Sequence, residues 1–283
     1  MSSKIYFSEQ ENGRSTRFYM VQAISRIANK IAPKITLKYT QKLLMTPVRH
    51  NSKQPVPPYF NSETIESSLG NIHVISAGEG PVVLFTHGWS GSASQFYPLM
   101  EYIAQLGFKV VAFDHYGHGK SAGNQANLPK FIRALEAVLS SLPGPTKAIV
   151  SHSMATIAAL NLGAHTTQHI LIAPPFDFYT GFKSRILSTG ISESLFTGVL
   201  ASIEHKHKME FKTLLPEQHV GNHEKISIIH DKEDKFAEHD LAYQQAQLHE
   251  HVTIVSTQGL GHGRILKSPQ VFELVAKQLT KVI

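Results

Sequence analysis

Residues 147–162 read KAIVSHSMATIAALNL. The segment opens on a short apolar run, Ala148-Ile149-Val150, with strand character, and closes on an alanine-rich helical stretch, Thr156–Leu162. Between them stands Ser153. A serine on so sharp a strand-to-helix turn has a strained backbone and an exposed hydroxyl. The turn needs small residues two positions before and after, because larger side chains would collide with neighbouring backbone. Ser151 and Ala155 meet that need. Two readings of Ser153 stand at this point: an activated nucleophile, or an N-cap whose oxygen accepts from the following helix.

Working outward, the same alternation repeats. Strands are expected at Ile72–Ala77, Val82–Thr86, Val110–Asp114, Lys147–Ser151, His169–Ala173, Ile226–His230 and Val252–Ser256. Helices are expected at 94–105, 128–141, 153–162, 237–248 and 269–282. Apolar strands alternating with helices predict an α/β fold, a buried and mostly parallel sheet flanked by helical crossovers. Pro174 to Glu224 breaks the rhythm. It has no convincing strand and is rich in large apolar side chains such as Phe176, Phe178, Phe182, Leu195, Phe196 and Ile203. The expected organisation is a core of residues 59–173 and 225–283, a helical cap insertion at 174–224, and an N-terminal extension with its linker at 1–58.

The composition, 42% apolar and 17% charged over 283 residues, is that of a globular chain. Cysteine is absent, which excludes a disulfide framework, a thiolate metal site and a cysteine nucleophile. No apolar run approaches the ~18 residues of a membrane span. The start, MSSKIYFSEQENG, lacks the apolar core of a signal peptide, so the expected compartment is cytoplasmic.

The net charge of +6 is unevenly placed. Residues 1–50 carry nine basic and two acidic side chains, a net of +7, and the rest of the chain is close to neutral. Val21, Ile24, Ala28, Ile31 and Ile35 recur at helical spacing, and Arg26, Lys30, Lys34, Lys38 and Lys42 form a second stripe. Pro33 predicts two helices or one kinked helix. Either the apolar stripe docks on the body while the lysines face water, or residues 14–45 lie on anionic lipid at the inner face of a membrane. No basic platform interleaved with aromatics appears, so nucleic acid is not an expected partner.

In a parallel sheet, ligands bind beyond the C-terminal strand ends. Those ends carry Thr86-His87-Gly88-Trp89, Asp114-His115-Tyr116-Gly117-His118-Gly119, Ser151-His152-Ser153, His230-Asp231-Lys232-Glu233-Asp234 and Gly261-His262-Gly263. A serine, carboxylates and a histidine thus follow one another at the ends of different strands. Gly119-Lys120-Ser121 is not a phosphate loop, because position 114 is Asp where that motif needs Gly. His205 with His207, and His249 with His251, lack a zinc-type ligand pattern. No metal or cofactor is expected.

Taken together, these motifs resemble the α/β-hydrolase family over about residues 70–283. His87–Gly91 is similar to its oxyanion loop, Asp114–Ser121 to its D-x-x-G-x-G-x-S turn, and Ser151–Ala155 to its nucleophile elbow with both glycines replaced. The resemblance implies Ser153 as nucleophile, His262 as base, Asp234 as the orienting acid, and the backbone N–H groups of Trp89 and Met154 as oxyanion hole. Asp231 is the competing acid, three positions early. The implied activity is hydrolysis of a carboxylic ester or thioester with an apolar acyl or alcohol part, through an acyl-enzyme. An acyltransferase, or a non-hydrolytic ligand-binding protein on the same fold, is the alternative.

Overall fold

The computed structural model describes residues 15–49, 55–162, 166 and 168–280. Arg14, residues 51–54 of the expected linker and the end of the expected helix 269–282 lie outside the described residues.

One sheet of eight strands organises the body. Its members are β1 (Asn61–Ile65), β2 (Ile72–Ala77), β3 (Val82–Thr86), β4 (Lys109–Phe113), β5 (Ala148–His152), β6 (His169–Ile172), β7 (Ile226–Asp231) and β8 (Val252–Thr257). The spatial order is β1-β2-β4-β3-β5-β6-β7-β8. β2 pairs antiparallel with β1 and β4, and every other pairing is parallel. Strand residues alternate between two cores. Leu84, Val111, Phe113 and Ile149 face one; Val83, Phe85, Val110 and Val150 face the other. The helices α3 (Tyr97–Ala104) and α10 (Pro269–Thr280) cover the second face, and α8 (His239–Leu248) packs on β7 and β8. The first is covered by α4 (Leu128–Ser141) and α5 (Met154–Leu160). β1 was not foreseen. Its sequence, NSETI, is polar and almost wholly exposed, so no apolar alternation marks it, and it is identified by its ladder to β2.

The strand order reverses at β3: β4 lies on one side and β5 on the other. The loops leaving β3 and β5 therefore part at their C-terminal ends and open a crevice. That is where Trp89 and Ser153 stand.

Between β6 and β7 lie α6 (Phe178–Ser188), α7 (Glu193–His207) and three short 3-10 turns. Ile186, Phe196, Val199 and Ile203 join the same core cluster as α4 and α5, so this insertion packs on the body and shares its core.

The N-terminal segment forms α1 (Thr16–Ile31) and α2 (Pro33–Met45), broken at Ala32 as Pro33 requires. Both lie along α7. Ser25 Oγ donates to Gly190 O, Asn29 Nδ2 to Ser194 Oγ, and Ser202 Oγ to Gln41 Oε1. Gly190 and Gly198 permit this approach: a Cβ at Gly190 would sit 2.5 Å from Phe18 O, and one at Gly198 3.1 Å from Leu37 Cδ1. The face that docks is thus Phe18, Ser25, Leu37, Thr40 and Leu44, not the isoleucine stripe. Ile24, Ile31 and Ile35 point to solvent. Of the expected stripe, Val21 packs on the body while Ile24, Ile31 and Ile35 stay outside, so the docked face is rotated from the expected one: Phe18, Leu37 and Leu44 bury apolar surface there and the glycines admit the close approach.

Candidate active site

Ser153 occupies the single residue between β5 and α5, with φ 53° and ψ −130°. A non-glycine residue there costs about 1–3 kcal/mol of backbone strain, which the surroundings must offset. Its N–H donates to Ile172 O (3.0 Å), and its carbonyl accepts from both the N–H and the hydroxyl of Thr156. The backbone is therefore pinned on both sides. Ser151 and Ala155 are fully buried, so only small side chains fit. The Ser153 hydroxyl makes no capping bond to α5. It donates instead to His262 Nε2 at 2.9 Å. Of the two readings of this serine, the geometry discards the N-cap.

His262 belongs to a one-turn helix, α9 (Gly261–Arg264), where an open loop was expected. Its Nδ1–H donates to Asp234 Oδ2 at 2.7 Å. The other carboxylate oxygen, Oδ1, accepts from the N–H groups of Phe236 (2.8 Å) and Ala237 (3.0 Å). Burial alone would raise the Asp234 pKa. Bonds from His230, His262 and the Phe236 amide outweigh it and hold the carboxyl well below the usual range. A permanent anion behind the imidazole fixes the tautomer that leaves Nε2 free to accept from Ser153.

Asp231 has a different place. Its Oδ2 accepts from Thr257 Oγ1 (2.7 Å) and Leu260 N–H (3.0 Å), and its Oδ1 from Glu233 N–H (3.0 Å). It ties the loop carrying Asp234 to the loop carrying His262 and does not touch the imidazole.

Gly88 is where the loop after β3 meets the elbow. A Cβ there would stand 2.8 Å from Ser153 Cβ and 3.1 Å from His152 O. That approach sets the chain of Trp89 beside the serine. Met154 begins α5, so its N–H has no intrahelical acceptor. Trp89, Ser153, Met154 and His262 all line one cleft.

Histidines support this floor. His87 accepts from the His115 N–H, His118 accepts from the Ser90 N–H, and the His115 ring stacks on Phe131 at 3.8 Å. Burial depresses the pKa of all three. His152 is pushed down to about 3, first by burial and then by His262 beside it. Neutral His152 donates from Nε2 to the His262 carbonyl at 2.9 Å, and so braces the loop that carries His262. Asp114 gathers the neighbouring turn. Burial opposes its charge, but bonds from His73 and from the Lys120 and Ala93 amides hold it at about 2.

The cleft encloses about 890 Å³, its open mouth included. Its walls are Met45, Leu128, Phe178, Phe182, Leu200, Ile203, Phe211 and Phe236, with Asp177 and Arg185 as the charged exceptions. Phe178 stacks between Phe182 and Phe211. Arg185 reaches across from α6, donating to the carbonyls of Lys235 and Phe236 and covering the Phe236 ring at 5.1 Å. Phe236 in turn meets the His262 ring edge-on at 5.5 Å. Neither Arg185, Phe236 nor Met45 was marked by the sequence, since each comes to the cleft by a tertiary contact with no local pattern. Among the described residues, no group of three or more side chains is placed to hold a metal ion.

Residues 79–252, more than half of the chain, match the family described as serine aminopeptidase, S33. The hydrolase YraK of Bacillus subtilis is 36% identical over 68 residues, 24% of this chain and 24% of its own. A monoglyceride lipase homolog of monkeypox virus is 31% identical over 87 residues, 28% of this chain and 32% of its own. The matches to these curated relatives thus span a third or less of their lengths. Among solved structures, an esterase of Pyrococcus furiosus superposes with a TM-score of 0.64 at 18% identity, covering 84% of this chain and 97% of that one.

Proposed function

The chain belongs to the α/β-hydrolase family described as serine aminopeptidase, S33, and from that premise we propose that it is a serine carboxylester hydrolase acting on esters or thioesters with an apolar acyl part. The observation that carries the reading is the continuous relay Ser153–His262–Asp234, with bonds of 2.9 and 2.7 Å, at the foot of an apolar cleft.

In this mechanism Ser153 Oγ attacks the ester carbonyl carbon while its proton passes to His262 Nε2. Asp234 stabilises the imidazolium. The carbonyl oxygen, now an anion, accepts from the N–H groups of Trp89 and Met154, donors worth about 3 kcal/mol each in the transition state. His262 returns the proton to the departing alkoxide or thiolate, leaving an acyl group on Ser153. Water then loses a proton to His262 as it attacks the acyl carbon, and His262 returns that proton to Ser153 Oγ as the Oγ–acyl bond breaks and the carboxylic acid departs. The insertion bearing α6 and α7 acts as a cap, and its aromatic side chains receive the acyl chain.

An aminopeptidase would need a carboxylate anion to hold the substrate's ammonium. The acid in the cleft, Asp177, shares that wall with the Arg185 cation, which competes with a substrate ammonium for it. The bond from Ser153 to His262 also argues against a ligand-binding protein without turnover.

The test is a chain-length series of p-nitrophenyl esters with aminoacyl anilides alongside. Preference for medium or long acyl esters supports the proposal; cleavage of the anilides alone refutes it. Addition of short alcohols separates a transferase, which gives new esters, from a hydrolase, which gives free acid.

A further inference from the structure

The side of α1 and α2 turned away from α7 is apolar. Met20, Ile24, Ile27, Ile31, Ile35 and Tyr39 are each between 58% and 77% exposed. Among the described residues, every exposed isoleucine lies here. Met20, Ile24, Ile27 and Ile31 follow helical spacing, opposite the Phe18, Ser25 and Asn29 that meet the body. The stripe is continuous through the break at Ala32. α1 packs at Gly190, in the turn before α7, and at Ser194 in its first turn, and α2 packs at Gly198 and Ser202, four-residue steps along one edge. Their opposite faces therefore look outward on the same side.

Cations flank this stripe. Arg17, Arg26, Lys30, Lys34, Lys38 and Lys42 are all exposed, and none forms an ion pair among the described residues. No acidic residue occurs from 15 through 49. Exposed apolar area of this extent marks an interaction surface. We propose that α1 and α2 form a docking face for an anionic lipid bilayer, with the isoleucines at the acyl boundary and the lysines at the headgroup phosphates. A second copy fits poorly, because a two-fold contact on this face would set its cations against their own copies. No helix of the described residues is long and apolar enough to cross a membrane, so the segment lies on the bilayer.

The face is rigidly joined to the body. Val48 N–H donates to Ser90 Oγ on the loop beside the serine, Ala126 N–H to Met45 O, and Arg49 Nη2 to Ser121 O. Met45 at the end of α2, and Leu200 and Ile203 on α7, also line the cleft. The lipid-docking helices and one wall of the cleft are thus a single packed unit.

Co-sedimentation of the full chain with vesicles tests this. The wild type is expected to bind phosphatidylcholine vesicles containing phosphatidylglycerol, and to lose binding in phosphatidylcholine alone. Lys30→Gln/Lys34→Gln/Lys38→Gln/Lys42→Gln is expected to weaken partition by about a hundredfold or more. Ile27→Ser/Ile31→Ser/Ile35→Ser is expected to weaken it at least about tenfold. Melting temperatures should match the wild type, since these side chains are exposed. No binding by the wild type, or equal binding by all three proteins, overturns the proposal. So does a wild-type dimer in light scattering that the isoleucine variant dissolves, which makes the occupant a second copy. The readout uses no substrate and is independent of the chemistry at Ser153.

Discussion

Acidification should unfold this protein before it protonates any carboxylate that matters. His115, His118, His152 and His169 are buried and neutral. Burial pushes His152 and His169 down to about 3 and the other two well below the ordinary value. In the unfolded chain each titrates near 6.5. The unfolded state therefore takes up protons that the native state refuses, and stability falls as pH drops through and below about 6.5. Between pH 7.5 and 5.5 each such histidine withdraws on the order of 1 kcal/mol, and four of them about 5 kcal/mol. That is comparable with the whole stability of an ordinary domain, about 5–15 kcal/mol. The carboxylates held low, Asp114 and Asp231, contribute stability that is lost only below about pH 4, outside this window.

The assay is urea unfolding followed by circular dichroism at pH 7.5, 6.5 and 5.5, with the linear extrapolation compared across the three. His169 isolates one share of the effect. Neither of its ring nitrogens finds a hydrogen-bond partner among the described residues, and its ring meets His223 at 4.3 Å. His169→Leu should stabilise the protein at low pH and flatten the pH dependence by on the order of 1 kcal/mol across the window. A stability that stays level or rises from pH 7.5 to 5.5 refutes the reasoning. So does a His169→Leu variant with an unchanged slope.

The remaining expectations concern the site. Asp234→Asn should keep the fold and lower kcat by about ten-thousandfold, because the imidazole loses its fixed tautomer. Asp231→Asn should remain active while losing about 1–3 kcal/mol of stability, since one of its two loop ties becomes a donor facing a donor. Parallel kinetics and thermal melts separate the two. Leu200→Trp should fill the inner wall of the cleft, leaving acetate esters nearly unchanged and cutting kcat/KM for decanoate esters about tenfold or more; equal losses on both would contradict the cleft as the acyl site.

The sheet was legible because its inner strands are buried on both faces and so read as short apolar runs. The three site side chains were legible because each stands just beyond a strand end, and the chain order Ser, Asp, His survives any folding detail. Position after the strand does not separate Asp234 from Asp231, since both carboxylates follow β7; the resemblance favoured Asp234, and in the structure it is Asp234 that meets the imidazole. β1 escaped notice because an edge strand of polar residues has no buried face. In the N-terminal segment the break at Pro33 was legible and the docked face was not. Periodicity reveals that a face is apolar, but not what covers it. Here the body takes the face with Phe18, Val21, Ser25 and Leu37, combining apolar packing with hydrogen bonds and glycine approaches that hydrophobic spacing does not register.

The central claim rests on the Ser153 hydroxyl. Fluorophosphonate treatment followed by peptide mass mapping measures it directly, alongside turnover of the preferred p-nitrophenyl ester. Stoichiometric modification of the wild type on Ser153, with loss of both labelling and turnover in Ser153→Ala, is the predicted result. Labelling elsewhere in the chain, or esterase turnover that persists in Ser153→Ala at the wild-type rate, would contradict it.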